Sequence, residues 1–175
     1  MLKQKGFSLI ELLIVVAIIL IIAAIAIPNL MRAKMAANTS SAASSERTII
    51  TAEVGYYSAF PTLGYATLVT LGGAVGVQCV PSSTTACLID ANLANNGPGG
   101  NGKSGYNFAS TPTASTATTP AMFVTTATAL SKQSGTTAFC GSEDGVVRST
   151  VATADPTVVA AGTSAACQAL TPLTN

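Results

Sequence analysis

The chain contains no histidine and no tryptophan, aromatic residues make up 5% of it, and charged residues only 9%. Without histidine it lacks the commonest general base and the commonest metal ligand. Serine and threonine are plentiful, but none has an imidazole to activate it, and neither Lys103 nor Lys132 sits in a pattern that would make it a base. The net charge is +1, with no basic stripe and no interleaved aromatics, so nothing points to nucleic acid. What is present is apolar: hydrophobic residues are 49% of the 175, concentrated at the N-terminus, and the remainder is rich in Ala, Thr, Ser and Gly. Small residues build a modest core, so covalent staples are expected.

The four cysteines, Cys79, Cys87, Cys140 and Cys167, supply candidates. No two are spaced Cys-x-x-Cys, which disfavours a zinc knuckle. An even number downstream of an export segment reads as two disulfides in an oxidising compartment. Of three connectivities, Cys79–Cys87 closing "VPSSTTA" and Cys140–Cys167 tying down the tail are favoured. Chain entropy makes these loops worth about 2.5 and about 3.5 kcal/mol.

Met1 to Gly6 is short and polar and carries Lys3 and Lys5. Phe7 to Ile27 follows as 21 almost wholly apolar residues, about 31 Å of helix, enough to cross the hydrocarbon core. The lysines would stay cytoplasmic and place the rest outside. A plain signal anchor fits this pattern; a cleaved secretory signal fits less well, although "AAIA" at 23–26 offers a small-x-small site. Neither accounts for Glu11, a carboxylate inside the apolar run, where insertion is costly.

Helical composition continues past Pro28 and Asn29, with Ile50, Val54 and Tyr57 at i, i+4, i+7 and Glu46, Arg47 and Glu53 on other faces. The pattern predicts one helix from about Phe7 to about Ser58: apolar over 7–28, broken or bent at Pro28, amphipathic over 29–58. Residues 59–105 read as a long irregular connection. Residues 106–152 carry strand-like runs, with Asp144-Gly145 between "TAFC" and "VVRST" marking a hairpin. Three or four antiparallel strands packed on the helix are expected, followed by an irregular, disulfide-tied region over 153–175. "TPTASTATTP" is predicted to be an exposed loop. The fold class is α+β, a stalk helix bearing a small antiparallel head.

"GPGGNGKS", Gly97 to Ser104, satisfies the phosphate-loop pattern, but "YNFAS" after it is strand-like, so no helix dipole would receive the phosphates. A glycine-rich turn is the better reading. Glu143, Asp144 and Asp155 could line a calcium loop, though acidic residues in turns are more often simply solvated; no other cofactor is indicated. The sequon at Asn38 falls on a predicted helix. Tyr56, Tyr57, Phe60 and Tyr65 form one small cluster, too little for a conducting aromatic path.

The stretch "KGFSLIELLIVVAIILIIAAIAIPN" resembles the class III signal of type IV prepilins and of type II secretion pseudopilins: a basic leader, Gly6, Phe7, Glu11, a long apolar helix and Pro28. The resemblance covers about 30 residues; downstream it is architectural only, to the pilin fold. It implies that a prepilin peptidase cuts between Gly6 and Phe7 and methylates the new amine of Phe7. Glu11 would then be the counter-ion of a neighbouring subunit's amine and set the axial register, as a lone polar residue does in a coiled-coil seam. Pro28 would mark a stretch that unwinds in the filament. The implied function is that of a structural subunit, not an enzyme: a self-assembling type IV pilus filament for adhesion, motility or uptake, or alternatively a pseudopilus of type II secretion. Its partners would be other copies of itself, the peptidase, an inner-membrane assembly platform and, before assembly, the membrane. Its location would be the inner membrane, then an extracellular or periplasm-spanning filament. A rival of another class is a monomeric binding module on an ordinary membrane anchor, which predicts no role for Glu11.

Overall fold

The computed structural model describes residues 7–96, 102–151 and 163–173. Its first element, α1, is a helix over Leu9–Ala59. The chain divides into two compact units, Met1–Lys34 and Met35–Asn175. In the first, Leu and Ala favour the helix, and its large apolar side chains are all exposed, between 86% at Phe7 and 46% at Val16. Helix runs through Pro28 without interruption, so the break expected there is not seen in the single chain. Proline removes one i→i−4 bond, and strong helix formers flank it on the N-terminal side.

In the second unit the remainder of α1 lies against a sheet. Its buried face runs Ala42, Glu46, Ile49, Glu53, Tyr56, alternating steps of four and three, with Ala43, Ile50 and Ala52 beside it. This corrects the expected face. Glu46 and Glu53 are fully buried, whereas Val54 and Tyr57 are 47% and 39% exposed. The periodicity of apolar residues alone was shifted, because the true stripe includes two carboxylates that the sheet opposes with small polar side chains. Pro61 disfavours helical geometry at Phe60, and α1 stops at Ala59.

The connection to the sheet is more ordered than expected. It contains α2 (Leu68–Gly72), capped by the Thr67 hydroxyl, and α3 (Ala91–Ala94), capped by the Asp90 carboxylate. Leu68, Leu71, Ile89, Leu93 and Ala94 join the core against α1. A disulfide joins Cys79 to Cys87 in the loop between them.

The sheet has five antiparallel strands in the order β1-β2-β3-β4-β5: Tyr106–Thr113, Met122–Ala129, Thr137–Ser142, Arg148–Val151 and Thr171–Pro172. The first three residues of "TPTASTATTP" belong to β1, paired from Thr111↔Val124 to Thr113↔Met122; the rest is an exposed loop in which Thr116 Oγ1 accepts from Thr119 N–H. The β3–β4 hairpin turns at Asp144-Gly145, with Gly145 at φ +75°. Its pairing closes at Cys140↔Arg148, so the connection is longer than a two-residue turn. The tail, expected to be irregular, forms α4 (Ser164–Gln168), capped by Thr163, and then β5. Residues 153–162 of that region lie outside the described residues. One sheet face, with Phe108, Phe123, Ala127 and Phe139, joins the main core. The other carries Val124 and Cys140 and packs on Cys167 of α4, to which Cys140 is disulfide-bonded.

Candidate functional site

The apolar end begins with Phe7, which is exposed, and Ser8, which precedes α1. Ser8 carbonyl accepts the first helical bond, from Leu12 N–H. Glu11 reaches back, and its Oε2 accepts the Ser8 N–H at 3.0 Å. This is one arm of a capping box, "SLIE", in which the third helical residue satisfies a backbone donor of the cap. It also puts negative charge where the helix dipole favours it. In the single chain, Glu11 is therefore bonded to its own backbone, a local role that the Ser-x-x-Glu spacing signals and that the register reading overlooked. Gly6, Lys3 and Lys5 lie outside the described residues.

Behind Glu11, α1 contains a stretch long and apolar enough to cross a membrane, none of it buried within the chain. Such a surface marks contact with a membrane or with another protein surface.

The remaining candidates are placed as follows. Lys103 donates from Nζ to Ser45 Oγ at 3.3 Å, and its backbone bridges to Tyr106 as β1 begins; it is turned to α1, and a strand rather than a helix follows it. Gly97–Asn101 of that motif lie outside the described residues. Glu143 accepts from Ser164 Oγ at 2.6 Å and from Gln168 Nε2 at 3.1 Å, fixing α4 to the hairpin. Asp144 pairs with Arg148, whose hydrogen bond holds its carboxyl below the usual range. Asp155, the third acid of the calcium reading, lies outside the described residues. Asn38 spends its amide on Ser134 O at 3.1 Å. The aromatic cluster stacks Tyr57 on Tyr65 at 4.8 Å and continues to Phe123 at 4.5 Å.

Two side chains expected on other faces of α1 instead face the sheet, fully buried. Glu53 Oε2 accepts from Ala66 N–H at 2.9 Å, and Oε1 accepts from Ser110 Oγ. Burial raises the Glu53 carboxyl above its ordinary value, and those two donors pull the other way. Glu46 has less help. Both of its oxygens are buried without a hydrogen-bond partner, as is the neighbouring Thr125 Oγ1. Burial pushes the Glu46 carboxyl from 4.5 up to about 8, offset in part by the Thr125 hydroxyl. The signal was the seven-residue spacing of the glutamates within Ala42, Ile49 and Tyr56.

The comparisons with known proteins converge on the N-terminal end. A family model described as the prokaryotic N-terminal methylation motif matches residues 1–27. The type IV major pilin protein PilA of Myxococcus xanthus is 45% identical over 56 residues, 32% of this chain and 26% of that one. The type IV wide pilus major component PilA4 of Thermus thermophilus is 64% identical over 36 residues, 21% of this chain and 28% of that one. The matches thus span about a quarter of these relatives' length. No solved structure matches significantly. With Phe7, Ser8 and Glu11 at the head of an uncovered apolar helix, the chain carries the prokaryotic N-terminal methylation motif and, over that segment, is similar to type IV major pilins.

Proposed function

We propose that this chain is the structural subunit of a type IV pilus, cut between Gly6 and Phe7, methylated at Phe7, and polymerised through its apolar helix. The observation that carries the proposal is the conjunction of the methylation motif with an apolar helix segment that the chain itself leaves uncovered. Before assembly the segment sits in the inner membrane. In the filament it leaves lipid for contact with other copies, and the matrix of neighbouring helices must then satisfy Glu11. Its partner there is the amine of Phe7 on an adjacent subunit, so Glu11 exchanges its bond to Ser8 N–H for an intermolecular one at the correct axial offset only. Pro28, already short of one helical bond, is where α1 would open as the helices pack. Both named relatives are pilins, which favours a pilus over a pseudopilus.

The test is the N-terminal peptide mass of protein sheared from cell surfaces, in the wild type and in Glu11→Ala. Expected are N-methylated Phe7 in the sheared wild type, and a Glu11→Ala chain that is processed but absent from the sheared fraction. An intact Met1, or a terminus near Ile27, would overturn the reading in favour of an anchor or a cleaved secretory signal. Glu11→Ala chains recovered in filaments at wild-type yield would remove the register role.

A further inference from the structure

The head contains a carboxylate that neither the capping of α1 nor filament assembly uses. Glu46 sits on the face of α1 that meets the centre of the sheet, with no exposed surface. Thr125 of β2, the polar group beside it, is equally buried and equally unpartnered. Across the strands Thr125 pairs with Gly141 of β3 and with Ser110 of β1. The sheet beneath α1 is therefore floored by small residues, and the Ile50 side chain seats directly on it: a Cβ added at Gly141 would lie 2.2 Å from Ile50 Cδ1 and 2.8 Å from Thr125 Oγ1. Glu46 is thus enclosed by closely packed neighbours, with one hydroxyl for polar company.

The charged and titratable groups around it are committed elsewhere. On α1, Arg47 is exposed, and Glu53, seven residues on, is taken by Ser110 and Ala66. Lys103, ahead of β1, gives its ammonium to Ser45. The Tyr106 hydroxyl of β1 donates to Thr137 O, and that of Tyr56 donates to Ser83 O. β2 and β3 present Phe123, Thr125, Ala127, Phe139 and Gly141 to this side, none of them charged. Arg148 pairs in register with Cys140, on the face that packs against α4, together with its partner Asp144. No cation among the described residues therefore balances an ionised Glu46, and the Thr125 hydroxyl is the one polar group set beside it.

We propose that Glu46 is a proton-operated latch between α1 and the sheet. As a neutral acid it fits the closed interface and can donate its proton to the lone Thr125 oxygen, which satisfies both groups at once. As an anion it is a buried charge without counter-ion and with a single hydroxyl beside it, and the interface must part locally to let water reach it. The raised Glu46 pKa agrees with this geometry. Proton linkage then has a definite sign. The folded head holds a proton that the unfolded chain releases, so stability is fully present below the ordinary carboxylate pKa of 4.5 and declines as pH rises towards about 8. This concerns the head alone and holds whether or not the chain builds filaments.

The experiment uses the full chain in detergent micelles, with glutamate carboxyls labelled with 13C. The chain has four glutamates, Glu11, Glu46, Glu53 and Glu143, so the spectrum is simple and the resonance missing from Glu46→Gln is assigned. That resonance is expected at the neutral-acid position at pH 7 and to titrate near pH 8. In parallel, the wild-type unfolding midpoint should fall steadily as pH rises from about 5 to about 8, and Glu46→Gln, which keeps the size and removes the charge, should lose most of that slope. A Glu46 resonance fully ionised by about pH 6, a Gln variant with the wild-type slope, or a Gln variant that does not fold would each overturn the latch.

Discussion

Glu53 ties three separate stretches of chain together, and its replacement by alanine tests whether that tie carries stability. Two terms act in the same direction. First, Ala66 N–H, whose residue is 4% exposed, loses its acceptor at 2.9 Å, and a buried donor left unpaired costs about 1–3 kcal/mol. Second, a methylene and a carboxyl leave a fully buried site, a cavity worth about 1–2 kcal/mol. Against these stands the relief from holding a carboxyl that burial already disfavours as an anion. The net loss should be about 2–4 kcal/mol, or a midpoint roughly 6–12 °C lower for a domain of this size. Glu53→Gln makes the control. Its amide oxygen can accept from Ala66 N–H, and its amide nitrogen can donate to Ser110 Oγ, whose own proton can then turn to Ala66 O, 3.3 Å away. Gln should therefore cost less than about 1 kcal/mol. Thermal and urea unfolding of the full chain in micelles would decide. Alanine as mild as glutamine would mean that the bonds to Ala66 and Ser110 contribute nothing net.

Two further outcomes follow from the packing. Gly141→Ala places a methyl within 2.2 Å of Ile50 Cδ1 and should destabilise the head by about 1–3 kcal/mol through overpacking; adding Ile50→Val should recover part of the loss, and additive costs in the double variant would refute close contact as the cause. Replacing Cys140 and Cys167 by serine opens a 27-residue separation and should cost about 3.5 kcal/mol, with hydrogen exchange rising first in α4; unchanged protection of 164–168 would mean that the Glu143–Ser164–Gln168 bonds suffice to hold that helix.

Much of this protein was legible in its residues because the signals are local. The apolar run, Glu11 four places after Phe7, and the helix through residue 59 need only composition and spacing. So does the Asp144-Gly145 hairpin, since a turn depends on the backbone freedom of two or three residues. The Ser8–Glu11 capping box was equally local and could have been read from "SLIE". The caps at Thr67, Asp90 and Thr163 are local too, but helices of four or five residues carry too little periodicity to stand out from loop composition.

What the tertiary structure alone decided is which way the second half of α1 faces. Carboxylates are ordinarily solvated, so a sequence pattern assigns Glu46 and Glu53 to the outside. The sheet that covers them comes from residues 106–151, and its Ser110, Thr125 and Gly141 meet the helix only once the strands have paired in register. Burial is a property of that meeting. Ser110, 57 positions from Glu53, and Thr125, still farther from Glu46, determine what polar company each carboxyl meets, and no spacing within α1 encodes it.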